Sequence, residues 1–158
     1  MRHVIYMAAC AVISCIAAIY ILFSYQEKSV LERAYYSCNT EFTIHNAGLS
    51  IPMVVTFQFD KHTGVLFYDN PLYKGKERLG MVNNKIEFLI QSNKDFVRLL
   101  SVNITKMAKD SAPVDEVDRI LPDFFFKKGA AIDFEVINSK VGLLFIHDSV
   151  PMFFCQRH

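Results

Sequence analysis

Hydrophobic and polar residues follow two different rhythms along this chain. Between Arg2 and Glu27 no charged side chain occurs, and residues 4–23 form an unbroken uncharged run of twenty. At about 1.5 Å rise per residue such a run matches a hydrocarbon core of about 30 Å, and it predicts one transmembrane helix. Tyr6, Tyr20 and Tyr25 stand near its ends, where an aromatic ring with a polar tip suits the water interface. Residues 24–36 mix charges with Val30, Leu31, Tyr35 and Tyr36, a pattern that predicts a short helical stalk.

Beyond Cys38 the period changes to two, the signature of half-buried strands. Phe42 and Ile44 alternate with Thr43 and His45, and Val55, Phe57 and Phe59 with Thr56, Gln58 and Asp60. Asn46-Ala47-Gly48 and Lys61-His62-Thr63-Gly64 have the composition and spacing of antiparallel hairpin turns, the second leading into an apolar run at 65–68. Further strands are expected at 77–82, 85–91 and 96–105. Asn83-Asn84, which tolerate positive φ, form the expected turn between the first two. Ser111 to Glu116 then supplies a cap, a first-turn proline and acids suited to a helix N-terminus, predicting one short helix at 114–121 that stops before Pro122. Strands at 131–137, 141–146 and 152–156 complete the pattern.

Eight or nine short antiparallel strands predict a mainly-β domain curled into a barrel or half-barrel, calycin-like, because an open sheet of that size leaves exposed edges. Phe57, Phe88, Phe134 and Phe145 read first as core rings. A sufficiently wide barrel lined by such rings would alternatively hold a small apolar ligand.

The charges around the apolar run orient it. Arg2 and the α-amino group precede it, whereas Glu27, Lys28, Glu32 and Arg33 follow in balance, so the positive-inside rule places residues 1–3 in the cytoplasm and residues 37–158 outside it. A cleaved signal peptide would need a shorter apolar region ending in a small-x-small site. Val12-Ile13-Ser14-Cys15 has the outline of a lipobox, but lipidation there would leave the apolar stretch from Ile16 to Phe23 as the mature terminus, where a polar tether is usual. A retained anchor is the simpler reading, with Cys10 and Cys15 packed as small apolar residues.

Composition narrows the chemistry further. A net charge of +1, with no basic run longer than Lys127-Lys128, argues against direct nucleic-acid binding. His45, His62 and His147 are isolated, and no GxSxG, phosphate loop or dinucleotide fingerprint occurs, so the chain is read as non-enzymatic, with no cofactor and no metal site. Asn103-Ile104-Thr105 matches a glycosylation sequon, a pattern common by chance. Phe124-Phe125-Phe126-Lys127-Lys128 is either a surface for a partner or lipid headgroups, or the commoner alternative, a buried turn with solvated lysines. Cys38 and Cys155 lie at opposite ends of the domain, outside the cytoplasm, and a disulfide between them is expected; two unrelated buried thiols are the alternative.

A minimal tail of Met1-Arg2-His3, one membrane helix, a β-rich domain of this size and the pair Cys38 and Cys155 together resemble the FidL-like inner-membrane proteins of enteric bacteria. That family is similar in layout to ToxS-type partners of membrane-bound transcription regulators. The resemblance implies a periplasmic domain that binds or stabilises a partner, such as a membrane-bound transcription regulator, on a single-pass bacterial inner-membrane protein. It carries no catalytic residue over to this chain. The alternative function is a periplasmic sensor or carrier of a small apolar ligand.

Overall fold

The computed structural model describes residues 13–21, 35–92 and 96–157. These contain eight strands: β1 (Tyr36–Asn46), β2 (Leu49–Asp60), β3 (Thr63–Lys74), β4 (Glu77–Ser92), β5 (Val97–Lys106), β6 (Ala131–Asn138), β7 (Gly142–His147) and β8 (Val150–Arg157). Each strand pairs antiparallel with the next, and β1 meets β8, so the sheet is a closed barrel. Helix α1 (Val114–Ile120) and a single 3-10 turn (Asp123–Phe125) lie between β5 and β6.

Tight turns set the register. Asn46 pairs with Leu49 across Ala47 and Gly48, with φ of 48° and 79°, and His147 pairs with Val150 across Asp148 and Ser149, with φ of 49° and 65°. Two successive left-handed residues make the hairpin turn whose twist matches that of the strands. The β2–β3 turn is Lys61-His62, and the charged Lys74–Arg78 stretch turns at Gly75.

Asn83-Asn84 do not turn. They pair with Asp69 and Tyr68 inside a continuous β4 of sixteen residues. Val82, Asn84, Ile86, Phe88 and Ile90 all point into the barrel, so the period of two never breaks. Asn84 is tolerated inside because its Nδ2 donates to the Tyr68 hydroxyl at 2.9 Å.

β3 likewise continues past Tyr68. Its pairing with β2 lapses between Val55–Tyr68 and Ser50–Tyr73, then resumes in the same register, which sets Pro52 opposite Pro71. Neither proline has a ladder donor. Asn70 fills part of the gap: the Val54 amide donates to its Oδ1 at 2.8 Å.

The helix forms where expected, with Asp115 and Glu116 in its first turn and Leu121 ending it before Pro122. Its N-cap residue is Pro113, which has no polar side chain to cap with, while the Ser111 hydroxyl two residues earlier accepts from the Met81 amide at 3.1 Å. The 3-10 turn is a second short helix that the residue pattern did not suggest. It buries Phe124 and Phe125 and leaves Lys127 and Lys128 exposed, so this run is a buried turn with solvated lysines.

Of the N-terminal expectations, the tail at 1–3, most of the span at 4–23 and the stalk at 24–34 lie outside the described residues. Residues 13–21 are helical and exposed. Among the described residues no helix is long and apolar enough to cross a membrane. At the stalk's far end, Tyr36 already belongs to β1.

Candidate functional site

Inward-facing residues fill the barrel. Phe57 stacks on Phe59 and on Phe153, each at 5.5 Å between centroids, while Phe145 stacks on Phe153 at 4.7 Å. Phe134 meets Phe145 and Phe153 edge-on, and Phe88 does the same to Phe57 and Phe59. These six rings come from β2, β4, β6, β7 and β8, and all are buried. The expected core role of Phe57, Phe88, Phe134 and Phe145 is therefore what the fold uses them for. Val117, Ile120, Leu121, Phe124 and Phe125 add a second apolar layer from the β5–β6 connection.

A small polar cluster sits under that layer. The buried Tyr68 hydroxyl donates to the Phe125 carbonyl at 2.7 Å and accepts from Asn84, tying β3 and β4 to the 3-10 turn. Burial raises the phenol pKa above its ordinary value, with the Asn84 bond opposing that rise, so the group stays a neutral donor. Asn84 also lines a cavity of about 60 Å³ walled by Val82, Ala112, Val114, Val117 and Phe126, with Lys106 and Asp110 at its edge. Its Oδ1, the Thr40 hydroxyl and the Ser101 hydroxyl are buried without a hydrogen-bond partner among the described residues.

The barrel closes on its shortest ladder. β1 and β8 share two register pairs, Cys38–Arg157 and Asn39–Gln156. Beside them Cys38 and Cys155, both fully buried, form a disulfide with Cα atoms 5.4 Å apart. The Tyr36 hydroxyl donates to the Cys155 carbonyl at 3.1 Å, and Phe42 stacks on Phe153 at 5.5 Å. The expected disulfide thus joins neighbouring strands at the seam. Cys15, on the helical segment, is a free thiol.

Two features mark the outer surface near β6–β8. Ile137 pairs with Leu144 and Leu144 with Phe154, forming an apolar row across three strands. Ile137 is 46% and Phe154 41% exposed, and Met152 is exposed beside them. The Phe154 ring lies over Gly142, where a Cβ would strike both the ring and the Cys155 carbonyl. Farther round, Arg98 donates from Nε and Nη2 to the two carboxylate oxygens of Asp133, each at 2.7 Å. This bond holds the Asp133 carboxyl below its usual range and raises the guanidinium. The pair lines an open groove of about 470 Å³ with Gln91, Ser92, Phe96 and Asp148.

The histidines are dispersed. His45 and His62 are exposed on separate strands and turns, while His147 Nδ1 lies 2.7 Å from the Asp133 carbonyl oxygen. No group of three His, Cys, Asp or Glu suited to a metal ion occurs among the described residues. Asn103 of the sequon lies on β5, with its amide donating to Glu87 at 3.4 Å. The residues missed from the sequence are polar ones facing inward: Thr40, Tyr68, Asn70, Asn84 and Ser101. The available signal was their position in phase with apolar neighbours, as in Val82-Asn83-Asn84-Lys85-Ile86.

No curated protein and no solved structure matches this chain. A family model described as the YqeJ C-terminal domain matches residues 35–155, from the residue before β1 to the second disulfide cysteine. A match over that much of the chain establishes membership: this chain belongs to the YqeJ C-terminal domain family.

Proposed function

We propose that this chain is a non-enzymatic, single-pass inner-membrane accessory protein whose barrel, on the periplasmic side, binds or stabilises a protein partner. The observation that carries the reading is the outward apolar row Ile137–Leu144–Phe154, presented on a barrel whose interior is already packed with its own rings. A sheet face of this kind buries apolar area only when a second surface covers it. The filled interior favours a partner over a small apolar ligand carried in the lumen. The anchor and its orientation are supported by the uncharged run at 4–23 and the charge of Arg2 before it. The partner class in keeping with the FidL-like resemblance is a membrane-bound transcription regulator with its own cytoplasmic domain.

The test is site-specific photo-crosslinking in cells. A photo-reactive residue at Phe154 should give a discrete adduct with a single-span membrane protein, and one at Lys76, on the β3–β4 turn, should not. The adduct should disappear in Ile137→Glu, with the barrel still folded. Absence of a discrete adduct from Phe154, Leu144 and Met152 alike would remove the basis for this surface. A C-terminal phosphatase fusion, active only outside the cytoplasm, tests the orientation separately.

A further inference from the structure

Strand order dictates which parts of the barrel share an end. With eight strands running alternately up and down, the start of β1 and the finish of β8 lie together, alongside the β2–β3, β4–β5 and β6–β7 connections. This end carries exposed apolar side chains at separate points around its rim: Tyr35 is 64%, Phe96 52% and Val141 65% exposed. Lys61 and Lys140 are exposed on the adjoining turns. At the other end, the β1–β2 and β3–β4 turns present Ala47-Gly48 and Gly75-Lys76, and the aliphatic side chains of Met107, Val114 and Val150 are exposed at the β5–β6 and β7–β8 connections.

The chain outside the barrel limits where this rim can be. Residues 24–34 separate Phe23, the end of the uncharged run, from Tyr35 on the rim. Even fully extended, the twelve steps from Phe23 to Tyr35 cover at most about 40 Å, and in a helix about 18 Å. Both ends expose aliphatic side chains, but the tether enters the barrel at the end that carries the exposed rings of Tyr35 and Phe96, so that end is the one drawn toward the bilayer.

We propose that this end of the barrel rests on the bilayer surface, with Tyr35, Phe96 and Val141 entering the headgroup region and Lys61 and Lys140 meeting lipid phosphates. The inference rests on the anchored reading above. Aromatic rings with a polar tip or an adjacent cation suit that layer, and several shallow apolar contacts add to a covalent tether without spanning the membrane. The barrel is thereby held upright, with the row Ile137–Leu144–Phe154 on its side wall, facing neighbours in the membrane plane.

The full chain, in a Cys10→Ser/Cys15→Ser background that keeps the disulfide, is reconstituted in phosphatidylethanolamine–phosphatidylglycerol vesicles. An environment-sensitive fluorophore is placed at Val141→Cys or, on the opposite end, at Lys76→Cys, and lipids with spin labels near the headgroup serve as quenchers. The 141 label should shift to the blue and lose most of its emission, while the 76 label should lose little. Phe96→Cys repeats the measurement should the label at 141 disturb the β6–β7 turn. Equal, weak quenching at all three positions in a chain that resists alkaline extraction would overturn the rim contact and leave the anchor standing. Release of the chain by alkaline wash would overturn the anchor and the rim contact together.

Discussion

Removing the disulfide, as Cys38→Ala/Cys155→Ala, is the most informative perturbation of this barrel because it acts at the point of closure. The bond spans a sequence separation of 117, and the chain-entropy relation for a loop of that size gives about 5 kcal/mol of stabilisation. The non-covalent contacts at the same seam are modest. β1 and β8 share two register pairs, and the Phe42–Phe153 stack is of the kind worth about 0.5–1.5 kcal/mol. Most of the closure free energy is therefore assigned to the covalent bond. Urea unfolding of the full chain in mild detergent measures it, using the oxidised wild type, the reduced wild type and the double variant. With a slope of about 2 kcal/mol/M, the midpoint should fall by about 2–3 M in the latter two. The reduced and alanine forms separate the loop effect from the loss of two buried sulfur atoms. A fall below about 0.5 M in both would refute the reasoning, since the barrel would then close through its ladder and rings alone.

Tyr68→Phe removes a hydroxyl that serves Phe125 and Asn84 at once, and should cost about 1–3 kcal/mol by urea unfolding without altering the strand content seen by circular dichroism. Gly142→Ala should destabilise by about 1–3 kcal/mol and speed hydrogen exchange in β7 and β8, because the added methyl meets the Cys155 carbonyl, which cannot swing aside as the Phe154 ring can. The Asp133 carboxyl is held below its ordinary pKa by Arg98, so its contribution is fully present above the unfolded carboxylate value of about 3.9 and is lost as pH falls through the folded value. Asp133→Asn should accordingly flatten the acid limb of a stability profile between pH 7 and 3, and an unchanged limb would show that the pair adds nothing to the folded state.

Sequence by itself determined the elements wherever local chemistry and burial agree. The period of two in β1, β2 and β6, the left-handed residues of the β1–β2 turn and the acids opening α1 are local features, and the fold uses each as the chain suggests. The pairing of Cys38 with Cys155 was also legible, since two cysteines at the ends of a closed sheet are brought together by closure.

Tertiary structure decided what depends on partners distant in sequence. Asn83-Asn84 have the composition of a turn, yet the Tyr68 hydroxyl accepts from the Asn84 amide on the neighbouring strand and β4 continues through them. The apolar run at 65–68 gives no sign that β3 extends to Lys74, yet the Asn70 side chain accepts the Val54 amide and β3 continues beside a gap with prolines on both strands. Ser111 has the chemistry of a helix cap, but the helix takes Pro113 at its N-cap and the Ser111 hydroxyl accepts from Met81 instead. In each case the local preference is worth about 1 kcal/mol, less than burying a strand's apolar face. The apolar row Ile137–Leu144–Phe154 belongs to the same class: its members come from three strands, and only register lines them up on the outside of the barrel.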